Sequence, residues 1–177
     1  EENPFLERFY RDPRAGALPA QMFFLFQRAR QFQELRQTDL FEPVRVADFM
    51  LEKDRLFAGL TLDTDELLLY EQAYELLTMN APVPDIVVYL QAPVDVLTQR
   101  ITKRARAGEE HITNDYLDKV SAAYTAFFHE YDASPLLIVN AAEIDLVDNE
   151  DDYTQLLERI RTVKSGRCYF NPLPTIL

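Results

Sequence analysis

The sequence predicts an α/β fold with a mostly parallel sheet flanked by helices, and three observations lead there. Ile86-Val87-Val88-Tyr89-Leu90 and Leu136-Leu137-Ile138-Val139 are continuous apolar runs, the pattern of parallel strands covered on both faces. Segments of helical length and periodicity separate them, as a crossover between parallel strands requires. Helix-start signals precede those segments: Asp63 three residues before Glu66, then Pro93, then Thr113.

In chain order, Asn3-Pro4 reads as an N-cap followed by proline at the first helical position, with Phe5, Leu6 and Phe9 on one face of a short helix. Leu18-Pro19 opens a longer helix. From Ala20 to about Gln37 it contains neither glycine nor proline, and Met22, Phe23, Phe24, Leu25 and Phe26 make its first half apolar nearly all round. Such a helix is buried or sits in a subunit contact. Val44 to Phe49 is a β-branched and apolar run that predicts a strand, leading into the charged segment Glu52-Lys53-Asp54-Arg55.

The Asp63/Glu66 capping box predicts a helix from about Asp65 to Met79, with Leu67, Leu68, Tyr70, Ala73, Tyr74 and Leu77 available for packing. After the strand at Ile86–Leu90, Pro93 begins a helix that turns Val94, Leu97 and Ile101 inward and ends among Lys103, Arg104 and Arg106. Thr113 caps a helix to about Tyr131, Leu136 to Val139 is a third strand, and Asp151 to Lys164 a last helix. Three strands are few for a sheet with two apolar faces, so neighbours are expected to be missing at one end.

Without repeats or low-complexity tracts, the 177 residues predict a single domain over 1–177. Eighteen Lys+Arg against 30 Asp+Glu give a net charge of −12, which repels a phosphate backbone and excludes sequence-independent nucleic-acid binding. A single cysteine, Cys168, excludes a disulfide framework and a Cys-based zinc site; His111 and His129 are too few for a His cluster, so no metal ligands are predicted. A reducing, cytoplasmic setting fits this composition. No run is long enough to cross a bilayer, and Glu-Glu-Asn-Pro has neither the basic start nor the apolar core of a signal peptide, so no membrane partner is expected. The four glycines, Gly16, Gly59, Gly108 and Gly166, are too dispersed to form a phosphate-cradling loop.

Tyr89-Leu90-Gln91-Ala92-Pro93, followed by Arg100, Arg104, Arg106, Glu109 and Ile112, resembles the deoxynucleoside kinase family. Asn3-Pro4-Phe5-Leu6 with Phe9-Tyr10, Gln21 followed by Arg28, and Glu52-Lys53-Asp54-Arg55-Leu56-Phe57-Ala58 are similar to stretches of the bacterial deoxyadenosine and deoxyguanosine kinases. The likeness runs from residue 3 to about 160. It implies a P-loop NTPase-like fold and transfer of the γ-phosphoryl group of ATP to the 5′-hydroxyl of a deoxynucleoside, with Mg²⁺ bridging the phosphates. A purine nucleoside and a homodimer are implied by the bacterial members. In that family a strand, the glycine-rich P-loop and a Glu-Pro element with the carboxylate base precede the Asn-Pro-Phe-Leu segment. The resemblance therefore implies that this chain is an N-terminally truncated kinase, inactive alone.

By the same resemblance Gln21 reads the base edge, a task suited to a carboxamide with one acceptor and two donors. Arg28 and Asp54 stand beside it, where the plain alternatives are a solvated helix charge and a surface ion pair. Tyr10 and Glu109 match the pair that holds the sugar 3′-hydroxyl, with Glu110 as the substitute if the register slips by one. Arg100, Arg104 and Arg106 match the catalytic arginines of a lid over about residues 100–112, against the alternative of cations favoured by a helix C-terminus. One departure stands out: the family's acidic-Arg-Ser motif is Asp48-Phe49-Met50 here, and Arg55 or Lys53 are the residues in position to replace the arginine. Two other readings remain open, a non-catalytic kinase-like binding or dimerisation module and a nucleoside monophosphate kinase such as thymidylate kinase.

Overall fold

In the computed structural model, which describes residues 3–36, 44–79, 81–105, 109, 112–142, 144–146 and 148–172, the elements run α1 (Leu6–Arg11), α2 (Pro13–Arg36), α3 (Leu51–Thr61), α4 (Thr64–Thr78), β1 (Val87–Gln91), α5 (Val94–Arg104), α6 (Asn114–Glu130), β2 (Leu136–Asn140), α7 (Glu150–Thr162) and β3 (Arg167–Phe170). They form two units, residues 1–82 with 105–124, and residues 83–104 with 125–177.

The first unit is helical. Asn3 caps a tight turn instead of the helix itself: its Oδ1 accepts from the Phe5 N–H at 2.9 Å, while its Nδ2 donates to the Ala20 carbonyl at 3.0 Å. The turn occupies Pro4 and Phe5, so α1 begins only at Leu6. The long helix begins at Pro13, not at Leu18-Pro19, and Pro19 lies inside it. Pro13 takes the first helical position, where its missing N–H is not needed, and Asp12 Oδ1 accepts from the Ala15 N–H at 3.4 Å. Burial of Ala17 and Ala20 against Phe9 outweighs the one hydrogen bond lost at Pro19. Gly16 permits this crossing, since a Cβ there would lie 2.5 Å from both Cα and N of Phe9.

Residues 44–50 form no strand, contrary to the expectation for Val44–Phe49. Val46 is 93% exposed and Val44 nearly as much, and among the described residues nothing pairs with them; β-branched side chains favour a strand only where a neighbouring surface receives them. The charged run that follows is the first turn of α3. The capping box of α4 is complete in both directions, with Asp63 accepting from the Glu66 N–H and Glu66 accepting from the Asp63 N–H. Tyr70 and Ala58 pack with Leu25 into a core flanked by Leu67, Ala73, Tyr74 and Leu77, but Leu68 is on the outer face with Leu69, Leu76 and Met79.

In the second unit the strands lie in the order β1-β2-β3, all parallel, with Val88 level with Leu137 and Cys168. This confirms the α/β class with a parallel sheet. β2 is the central strand, which accounts for its unbroken apolar run: Leu137 and Val139 pack with Ile144, Leu156 and Val163 on one face. On the other face Tyr89 stacks on Phe128 at 4.3 Å. Leu90, at the end of the β1 run, is exposed, so that strand is covered less fully than its composition implies. β3 was not signalled: Arg167-Cys168-Tyr169-Phe170 is short and half-exposed. No helix among the described residues is long and apolar enough to cross a membrane.

Candidate functional site

Within the first unit a cavity of about 230 Å³ opens between α1, α2, the start of α3 and the first turn of α6. Helical spacing decides which side chains reach it. Ala20, Phe24 and Arg28 recur every four residues on α2, and Gln21 lies two turns before Arg28; Asp54 and Phe57, three apart on α3, and Met50 at its N-cap line the facing side. Tyr10 and Phe9 enter from α1, Tyr116 from α6, and Phe49 from the segment before α3.

Gln21 is buried, and its amide orientation is fixed by a relay. The Thr61 hydroxyl donates to the Phe57 carbonyl at 2.7 Å, so its oxygen must accept from Gln21 Nε2 at 3.2 Å. Gln21 Oε1 and the second N–H are left for the cavity. Arg28 contacts two aromatic rings, its guanidinium carbon 5.8 Å from the Phe24 centroid and 5.2 Å from that of Phe49. Phe49 in turn stands edge-on to Phe32 at 5.2 Å.

Arg28 Nε and Asp54 Oδ2 form an ion pair at 3.7 Å, too long for a hydrogen bond, and neither buried atom has another hydrogen-bond partner. Burial pushes the Asp54 carboxyl up to about 6, and the opposing pull of Arg28 and Lys53 does not cancel it. Lys53, on the cavity wall, has its ammonium 5.6 Å from the Tyr124 ring, and burial followed by Arg28 lowers its pKa. Burial, with Tyr10 nearby, raises Tyr116 to about 12.

The cavity thus gathers four of the sequence-predicted residues, Tyr10, Gln21, Arg28 and Asp54. Glu109 is not among its lining residues, and Arg106 and Glu110 lie outside the described residues. Arg100 and Arg104 belong to the second unit, where Arg100 Nη2 donates to the Ala141 carbonyl at 2.6 Å and to that of Ile144 at 3.3 Å. Of the two candidates to replace the missing arginine, Arg55 is bound to Glu71 at 2.7 Å and stacks on Tyr74, whereas Lys53 faces the cavity. Sequence reading missed Phe9, Met50, Phe57 and Tyr116 as lining residues; helical spacing from Asp54 signals Phe57, and adjacency to Tyr10 signals Phe9.

Among the described residues no cluster of three or more His, Cys, Asp or Glu side chains is placed to hold a metal ion. The cavity's chemistry is that of recognition: an aromatic enclosure sized for a ring system, with an amide, a guanidinium and a carboxylate converging on it.

A family model described as deoxynucleoside kinase matches residues 1–164. Deoxyguanosine kinase of Bacillus subtilis (strain 168) is 30% identical over 167 residues, covering 91% of this chain and 80% of the relative. The deoxyadenosine/deoxycytidine kinase of the same organism is 26% identical over 173 residues, covering 92% and 77%. The solved structure of deoxyadenosine kinase from M. mycoides with bound dCTP superimposes with a TM-score of 0.75 at 24% identity, over 91% of this chain and 82% of that one, and shows a shared fold. With a family match over most of its length, a relative at this identity and the same fold, the chain belongs to the deoxynucleoside kinase family, whose members are phosphoryl transferases.

Proposed function

We propose that the cavity binds a deoxynucleoside, preferably a purine deoxynucleoside, and that the protein transfers a phosphoryl group from ATP to its 5′-hydroxyl. The observation that carries this reading is the convergence of Gln21, Arg28 and Asp54 in one aromatic cavity, with Arg28 Nε and Asp54 Oδ2 buried and lacking hydrogen bonds. Closed off from solvent, these two atoms face each other, and the pair they form fixes the Arg28 and Asp54 side chains at the cavity wall. A nucleobase edge alternates acceptors and donors, and it meets here an N–H from Arg28, a carboxylate acceptor from Asp54 and an amide that offers both. Relatives named deoxyguanosine kinase and deoxyadenosine kinase support the purine preference.

In this reading Tyr10 and Glu109 take the 3′-hydroxyl, and Arg104 and Arg106 supply charge to the transferring phosphoryl group. ATP and Mg²⁺ belong to the same reading through the family, while the cavity residues named here act in nucleoside recognition. A homodimer belongs to the same reading, supported by the exposed Phe26 of α2 and the exposed outer face of α4.

Calorimetric titration of the chain with deoxyguanosine, deoxyadenosine and deoxycytidine tests the reading. Purines are expected to bind at least about tenfold more tightly, a difference of roughly 1.4 kcal/mol. Failure of all three to bind at millimolar concentration overturns it.

A further inference from the structure

The charges around the cavity do not balance. Arg28 from α2 and Asp54 from α3 form a pair, and the groups facing them from the other elements, Tyr10 of α1 and Tyr116 of α6, are neutral phenols. Asp48, in the exposed segment before α3, attracts Lys53 only weakly, ranking below burial, Arg28 and Asp54 in its effect. Lys53 is left as a surplus cation. It has no carboxylate within 4 Å among the described residues, and its one close partner is the face of Tyr124.

Helix stability does not explain a lysine at this position. Lys53 lies in the first turn of α3, where the helix dipole favours Glu52 and Asp54 and opposes a cation. Arg55, two residues on, shows where a purely structural cation goes in this helix: outward, to Glu71 on α4. Lys53 instead lines a ligand cavity, with its ammonium over the face of Tyr124, in a chain whose net charge is −12. Such an ammonium is stabilised when a bound anion shares its surroundings.

We propose that Lys53 is the anion-binding residue of this cavity and pairs with the 5′-phosphate of a deoxynucleoside monophosphate, the product of the proposed reaction. The assignment rests on the nucleoside reading above. It also gives the departure at Phe49 a physical content: Phe49 braces the Arg28 guanidinium, and the positive charge of that neighbourhood resides on Lys53, four residues on.

The test compares the wild-type chain with Lys53→Met and Lys53→Arg, using deoxyguanosine, dGMP and inorganic phosphate as separate probes. Wild type is expected to bind dGMP at least about tenfold more tightly than deoxyguanosine, and Lys53→Met to lower that preference to within about twofold, with Lys53→Arg restoring most of it. Inorganic phosphate is expected to raise the melting temperature of wild type and Lys53→Arg but not of Lys53→Met. A dGMP preference or a phosphate response that survives in Lys53→Met overturns the proposal and leaves Lys53 as packing against Tyr124. The two readings fail separately: phosphate binding without deoxyguanosine binding removes the nucleoside reading, and the reverse removes the role of Lys53.

Discussion

Arg28 and Asp54 face each other at 3.7 Å without a hydrogen bond, each burying a polar atom that has no other hydrogen-bond partner. A pair optimised for stability would close that gap. This pair is instead held apart, Arg28 by Phe24 and Phe49, and Asp54 by the register of α3. Burial pushes the Asp54 carboxyl up to about 6, and a guanidinium at this distance, with Lys53, does not offset it.

From this follows a pH dependence with a definite sign. A carboxyl whose folded pKa lies above its unfolded value of 3.8 contributes stability that is complete below that value and is lost as pH rises through about 6. The loss is on the order of 3 kcal/mol for a group this buried. Asp54→Asn is therefore expected to melt higher than wild type at pH 7, with the advantage gone by pH 4. Thermal melts across that window decide the matter; a wild-type advantage at pH 7 removes the argument.

Nucleoside binding is expected to move the other way. Gln21→Leu keeps most of the side-chain volume but presents nothing to a base edge, so deoxynucleoside affinity should fall at least about tenfold and base discrimination should flatten. Because the Thr61 relay is also lost, a small drop in melting temperature is expected too. Calorimetry beside a melt separates these effects. A large drop in stability with base preference intact marks a structural glutamine.

Arg100 and Arg104 are expected to divide by role. Arg100→Ala removes a guanidinium that serves two carbonyls and should cost about 1–3 kcal/mol, read as a fall in melting temperature. Arg104→Ala, at an exposed position, should leave the melt nearly unchanged while lowering kcat of the active kinase about a hundredfold. Equal effects of both variants on stability, with turnover untouched, dismiss the lid assignment.

Gly16→Ala tests the crossing of α1 and α2. Its Cβ would meet the Phe9 backbone at 2.5 Å, which no rotamer change relieves, and overpacking of this kind typically costs about 1–3 kcal/mol. Since Phe9 and Tyr10 line the cavity, nucleoside affinity should fall with stability. An unchanged melt contradicts the packing described for α1.

What could be read from the sequence was what local chemistry decides. Asp63 with Glu66, and Thr113 before α6, satisfy their own helix ends and needed no tertiary context. Val44–Phe49 misled because its β-branched side chains have a strand's composition without a partner surface, and Pro19 misled because burial of Ala17 and Ala20 overrides a single breaker. Gln21, Arg28, Asp54 and Tyr10 were legible through family resemblance, and helical spacing explains how Gln21 and Arg28 share one face of α2. The Thr61 relay and the separate fates of Lys53 and Arg55 depend on side-chain direction, which a charged run does not encode.

Helix α3 serves as a ruler. Its first turn carries Asp54 and its last residue, Thr61, anchors the amide that Gln21 extends from α2, so one polar reference for a bound base and the anchor of the other lie on one rod, seven residues and about 10 Å apart. Substitutions along the outside of that rod leave the spacing intact. Inserting or deleting one residue between Asp54 and Thr61 would shift Thr61 against Asp54 by about 1.5 Å and 100°, enough to withdraw the hydroxyl that orients the Gln21 amide. In this protein the length of α3, more than the identity of its surface residues, is the quantity that selection or redesign has to preserve.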